Sequence, residues 1–401
     1  MTATKPSLGL LRSLTDEHVL RELMRARRVT RAELAARTGL SKPTVSESVR
    51  RLTEAGLVVD TGERTPGGRG RGRVGSYYSL AQTVGTALVI GIAPDGVVAE
   101  CVDAYGDTLT RTRHDISRLA RPEQVAAALQ TAARQAQRDA ASTTRLAVVS
   151  AADPVDRATG RLIQLPDAPF LLGELDPVDV LAPYVAGPVV ADNDVNWAAQ
   201  AERDNDPASL RDFAYVFLGE GLGCAVVSDG QVRRGHHGIA GEIAHLITVG
   251  PHGRATRFID VFGELGLRRA GTTAIDVDRL LEVTTGHEPP ATAARHAVGQ
   301  AVSAVLAAVV ALTDPQLVII GGPWGSHPSI LDTITTAFTR LPRHVAVHSA
   351  RLTEEPSLTG ARNDALDRLR SAIVAAPTAT RRAMDAIGTA GVRDPEPAPG
   401  R

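Results

Sequence analysis

Two short helices separated by a glycine are written into residues 30–52, and they constrain the front of this 401-residue chain more than any other feature. Thr30 precedes Glu33 by three residues, the capping-box spacing in which each side chain satisfies the other's backbone donor. The helix this starts, AELAART, is short: Leu34 faces inward, and Ala35 and Ala36 permit a close crossing. Gly39 follows, the residue type suited to a left-handed turn. Ser41 can cap the next helix, with Pro43 tolerated in its first turn. Val45, Val49 and Leu52 then form its inward stripe, backed by an upstream helical period through Leu8, Leu11, Leu14, Val19, Leu20 and Leu23. Helix, glycine turn, helix is the helix-turn-helix arrangement. An ordinary αα-hairpin would use the same pattern.

The following residues favour the first reading. Ala55–Val59 reads as a helix end entering a strand, and Tyr77–Leu80 as the returning strand. Between them Thr65–Arg73 is a glycine- and arginine-rich loop in which Arg69, Arg71 and Arg73 alternate with glycine. A β-hairpin behind a recognition helix is a wing, and arginines so spaced suit a narrow minor groove. A solvated linker is the alternative for the loop taken alone. The exposed start of the second helix carries Ser41, Lys42, Thr44, Ser46 and, further on, Arg50, side chains suited to phosphate anchoring and base contact. Charge agrees: residues 1–80 hold 15 Lys/Arg against 8 Asp/Glu, whereas the rest holds 29 against 37. A basic head on an acidic body is expected of a reader of double-stranded DNA joined to something else.

Cys101 and Cys224, the two cysteines, lie far apart, which excludes a disulfide framework and fits a reducing cytoplasm. The first residues have no apolar core of a signal peptide. The stretch 301–320 is apolar but broken by Ser303, Asp314, Pro315 and Gln316; it reads as a buried helix and a strand, so no membrane partner is expected. From residue 83 the pattern is α/β. Strands are expected at 86–93, 96–101, 146–150, 188–190, 213–218, 224–227 and 317–320. Helices are expected at 121–137, 296–312 and 360–376, ahead of a disordered tail from 376 to 401.

Four segments in order resemble the ROK family of sugar kinases and sugar-responsive repressors, in its regulator branch. ADNDVNWAAQAE is similar to the family's Asn-Asp segment and LGEGLGCAVVSDG to its second phosphate loop. GIAGEIAHLITVG resembles its Gly-Glu-x-x-His stretch, and DPQLVIIGG its adenosine-side loop. The resemblance covers residues 10–375. It implies a winged helix-turn-helix over 1–82 followed by a two-lobed, actin-like and ribonuclease H-like body over 83–375, with lobes about 83–193 plus 361–375 and 194–360. It further implies Asp194 as the equivalent of the kinase base and Asn193, Glu242, His245, Glu264 and Asp167 as sugar contacts. Gly219, Gly221, Gly223, Gly321 and Gly322 would be remnants of phosphate loops.

The departures point away from phosphoryl transfer. Where the kinases carry Asp-x-Gly-Gly-Thr, this chain has Gly91-Ile92-Ala93-Pro94-Asp95-Gly96, and Pro94 removes an amide donor. Glu220 sets a carboxylate where phosphates would lie, repelling ATP unless a cation intervenes. The family's zinc-binding thiols are replaced by Ala255, Arg257 and Phe262, leaving His245 unaided, so no metal and no cofactor are expected. Asp167 stands where the family has Asn. The ligand implied is an unusual, aminated or phosphate-free sugar, or none. The expected function is a homodimeric or homotetrameric, DNA-binding transcription regulator sensing a sugar derivative. An active carbohydrate kinase with a DNA-binding appendage and a ligand-independent DNA-binding protein are the alternatives.

Overall fold

The computed structural model describes residues 8–66, 74–118, 120–138, 142–165, 175–206, 208 and 210–390, with backbone only at 8, 10 and 377–390. Arg69, Arg71 and Arg73 of the expected wing tip and Asp167 lie outside the described residues.

The head comprises α1 (Leu8–Ala26), β1 (Val29–Thr30), α2 (Arg31–Thr38), α3 (Lys42–Glu54), β2 (Val58–Arg64) and β3 (Ser76–Leu80). Both halves of the capping box form: the Glu33 amide donates to Thr30 Oγ1 at 3.2 Å, and the Thr30 amide to Glu33 Oε2 at 2.8 Å. Gly39 closes α2 at φ 71°, and Ser41 caps α3. Val45, Val49 and Leu52 are buried against Leu20, Leu23 and Leu34. Buried Asp16 pins α1 to α3 by accepting from Ser48 Oγ at 2.6 Å and from Arg51 Nη2 at 2.5 Å. β3 lies between β1 and β2, so the wing hairpin is anchored to the entry of α2.

In the body, β4 (Thr86–Ala93), β5 (Gly96–Val102) and β6 (Thr108–Asp115) run antiparallel; then come α4 (Pro122–Gln137), β7 (Thr144–Ala151), α5 (Pro177–Leu181) and β8 (Val189–Asn193). The sheet order is β6-β5-β4-β7-β8, with β4, β7 and β8 parallel. After α6 (Asp194–Asn205) the second lobe repeats the plan. Its sheet joins β9 (Phe213–Leu218), β10 (Leu222–Ser228) and β11 (Gln231–Val232) to β14 (Leu317–Gly321) and β15 (Ala346–Ser349), in the order β11-β10-β9-β14-β15. A small hairpin of β12 (Ile247–Val249) and β13 (Ala255–Arg257), α7 (Phe258–Glu264), α8 (Val277–Thr285), α9 (Pro289–Thr313) and α10 (Pro328–Phe338) complete that lobe. The last described element is α11 (Pro356–Ala390).

Three differences from the expectations have physical causes. β6 carries Thr, Arg and His at half-exposed edge positions, so it lacks the apolar signal of its neighbours. The last helix runs through Ala390 rather than ending near 376: Ala, Arg and Met are good helix formers, and helicity there needs no apolar face. α9 is longer than expected and is long and apolar enough to cross a membrane, but it packs along α10, α8 and α7. α11 lies on α6, β4 and β7 and touches α1, so head and first lobe share one continuous apolar cluster running from Val19 and Leu52 to Val89, Trp197, Ala365 and Leu369.

Candidate functional site

The outer face of α3 is the candidate nucleic-acid surface. Ser41, Lys42 and Arg50 are exposed, and Thr44 and Ser46 are half-buried. Not all are equally available. Ser41 Oγ and Thr44 Oγ1 bond each other at 2.7 Å, and Arg50 is held by Glu47 and Glu54 along its own helix. Lys42 has no ion-pair partner among the described residues. The sequence reading treated Arg50 as an available cation; i,i+3 and i,i+4 acids instead engage it in the absence of DNA.

The second site is a cavity of about 350 Å³ between the lobes. Two parallel strands build its floor. β7 and β8 are in register at Ala151 and Asn193, so Asp153 and Asp194 leave the carboxyl ends of neighbouring strands side by side. Open α/β sheets place their ligand sites at such strand ends. Asn193 caps α6, accepting from the Val195 amide at 2.9 Å, and its Nδ2 donates to the Asp153 carbonyl at 3.3 Å. The opposite wall comes from the turn 242–245, in which Glu242 precedes a single 3-10 turn ending at exposed His245. Asn193, Asp194, Glu242 and His245 thus converge on one cavity, joined by Asp153.

Burial pushes the Asp194 carboxyl up to about 7 against the backbone amides at the start of α6. Glu242 is likewise pushed up to about 7, by burial first and the Asp194 charge second. Asp153 reaches about 7 by burial, then by Asp194 and Glu242. Glu264 does not join them: it lies at the exposed end of α7, beside Gly250. Of α7 it is Ile259, at the other end of the helix, that lines the cavity.

The loops bordering the cavity differ from a nucleotide cradle. Ala93, Pro94 and Asp95 form the tight β4–β5 turn at its edge. Gly223 packs its Cα against Val195, where a Cβ would come within 2.8 Å of Cγ2, while Gly322 takes φ +91° beside the Leu218 backbone. Gly219 and Gly221 flank Glu220 in the β9–β10 turn, and Gly321 ends β14 against Tyr215. Close packing therefore accounts for Gly223 and Gly321 without a phosphate. Glu220 is not a bare anion: Arg118 of the first lobe and Arg269 of the second both pair with it, Arg269 Nη2 at 3.1 Å. The Arg118–Glu220 pair crosses the cleft. So does Arg234, whose Nε donates to Asp192 Oδ2 at 2.6 Å.

The residues do not fit structural zinc. Ala255 and Arg257 lie in the β12–β13 hairpin, and Phe262 is buried against Phe258 and Trp324. Apolar packing braces the segment that thiolate ligands would otherwise hold. No group of three His, Cys, Asp or Glu among the described residues is placed to hold a metal ion.

Asp153, Arg118 and Arg269 escaped the sequence reading. For Asp153 there was a signal, an acid followed by Pro154 at the end of the apolar run 146–151. For the arginines there was none, because their common partner is far away in sequence.

Comparison with known proteins agrees with this geometry. Residues 12–59 match the winged helix-turn-helix DNA-binding model, and residues 89–363 match the model of the ROK family. N-acetylmannosamine kinase from Salmonella typhi is 31% identical over 193 residues, which are 44% of this chain and 65% of the kinase, just under two thirds of its length. Among solved structures, a ROK family transcriptional regulator, homolog of the E. coli MLC protein, superposes with a TM-score of 0.60 at 18% identity, covering 92% of this chain and 98% of that one. The ROK hexokinase of Thermus thermophilus superposes at 0.57 with 23% identity, over 71% of this chain and 99% of the hexokinase. At these identities the structures speak for the fold alone. With a family match over well more than half its length, behind an N-terminal winged helix-turn-helix, this chain belongs to the ROK family.

Proposed function

We propose that this chain is a cytoplasmic transcription regulator, a repressor of carbohydrate genes that binds an operator through its head and a sugar or sugar derivative in its cleft. The observation that carries the reading is the apolar cluster uniting α1 and α3 with β4, α6 and α11. A head packed into the first lobe must follow any rotation of that lobe. A ligand that prefers one lobe angle therefore changes the separation of two heads in a homodimer, and with it the fit to a two-fold operator. The coupling is limited to the ligand's differential affinity for the two forms, commonly about 1–3 kcal/mol, a roughly 5- to 150-fold change in operator affinity.

The test is selection of genomic fragments by the purified chain, followed by fluorescence anisotropy of the selected duplex with and without sugars. The expected result is salt-sensitive binding weakened by one sugar class. No preference for any duplex over random competitor at moderate ionic strength overturns it.

Catalysis is a second reading, favoured by the likeness to N-acetylmannosamine kinase and by Asp194 in the cavity. Pro94 and the Glu220 carboxylate oppose it, since neither can donate to a phosphate. ADP release from ATP, magnesium and a hexose that disappears in Asp194→Asn would establish it.

A further inference from the structure

Three carboxylates meet in the cleft with no cation to answer them. Asp153, Asp194 and Glu242 line one cavity and feel each other's charge. Among the described residues none of them forms an ion pair with an arginine, lysine or histidine, although the chain pairs its carboxylates freely elsewhere. The two candidate counter-charges are committed or distant from them: Arg118 is held by Glu220, and His245 is exposed at the rim. Asp95 and Glu220, which line the same cavity, are by contrast answered by arginines, Asp95 by Arg113 and Glu220 by Arg118 and Arg269.

Asp153 supplies a separate observation. It is 3% exposed, and its Oδ2 has no hydrogen-bond partner. A buried carboxylate oxygen without a donor costs about 1–3 kcal/mol or more and calls for an explanation in terms of function. The cavity volume of about 350 Å³ is at the small end of ligand sites.

We propose that the effector is a small sugar carrying a protonated amine, whose ammonium group is received by Asp153 together with Asp194 and Glu242. This rests on the cleft being the effector site proposed above. An ammonium offers three donors to three acceptors and stabilises their ionised forms together. An N-acetylated or plain hydroxyl group at that place brings no charge to draw the carboxyls into their ionised form. Asp153 is the specificity-determining residue, while Asp194 and Glu242 also serve the ring hydroxyls. Because the three carboxyls hold protons near neutral pH, binding of the cation expels protons from the site.

The experiment is isothermal titration calorimetry of the full chain at pH 7 with glucosamine, mannosamine and galactosamine. Their N-acetyl and unmodified counterparts, and magnesium chloride alone, are the comparisons. At least one amine should bind at least about tenfold more tightly than both of its counterparts, a difference of about 1.4 kcal/mol. Titrations in two buffers of different ionisation heat should report net proton release. Asp153→Asn should abolish the preference for the amine, and Glu242→Gln should weaken it if the asparagine variant fails to fold. Equal or tighter binding of the neutral sugars, no binding of any of the three amines, or competition by magnesium for the site overturns the proposal. A neutral sugar that binds and releases the duplex overturns the amine but leaves the regulator standing. An amine that binds without altering duplex affinity does the reverse.

Discussion

The head and the cleft handle buried acid in opposite ways. In the head, Asp16 is as buried as Asp153, yet it is fully engaged by Ser48 and Arg51 and ties two helices together. In the cleft, Asp153, Asp194 and Glu242 are grouped without a cation, and one oxygen lacks any donor. The difference separates a charge kept for stability from charges kept for something that arrives. A structural site closes its own hydrogen bonds; a binding site leaves them open at some cost to the fold.

The largest expected effect is in the head. Asp16→Ala removes one partner of a buried pair, leaving Ser48 Oγ without its acceptor and Arg51 with only the exposed Glu47, so unfolding should become easier by about 3 kcal/mol, read by chemical denaturation. A loss under about 0.5 kcal/mol would mean that the two buried acids are alike after all.

Asp153→Asn should act in the opposite direction. The folded-state carboxyl is raised to about 7, so the folded chain holds its proton more tightly than the unfolded one. Its contribution favours folding between the ordinary carboxyl range and 7 as pH falls, and it is lost as pH rises through 7. The asparagine variant should therefore gain about 2 kcal/mol over the parent at pH 8 and nearly nothing at pH 4, in thermal or urea unfolding. Destabilisation at pH 8 would assign Asp153 a structural role like that of Asp16.

Next come the basic groups of the head. Replacing Arg69, Arg71 and Arg73 together with alanine should weaken duplex binding by about tenfold or more and flatten its salt dependence, whereas Lys42→Ala alone should reduce the log–log salt slope by about 0.9. Unchanged affinity in the triple variant removes the wing from the interface.

The smallest effect is expected for Arg50→Ala, because Glu47 and Glu54 already engage that guanidinium. Affinity should change by no more than about twofold, far less than a bidentate base contact, which is worth about 1–3 kcal/mol. A loss as large as for Lys42→Ala would show that DNA draws Arg50 away from its acids.

Much of this was open to reading along the chain. The caps of α2 and α3 depend on contacts three or four residues apart, so Thr30, Glu33, Gly39 and Ser41 declared both helices without help from the rest of the fold. The apolar strands β4, β7, β9 and β14, buried at the centres of their mixed sheets, declared themselves by near-continuous apolar runs. The ordered motifs around Asp194, Glu220 and Glu242 pointed to a cleft. What no local rule could reach was which side chains face one another across that cleft. Arg118 meets Glu220 across 102 positions, and Asp153 shares a cavity with Glu242. The same motif reading carried Glu264 into a site it does not join. Caps and periodicity are short-range and survive in one dimension; the pairing or abandonment of a buried charge depends on sheet register and lobe approach, which exist only in the folded chain.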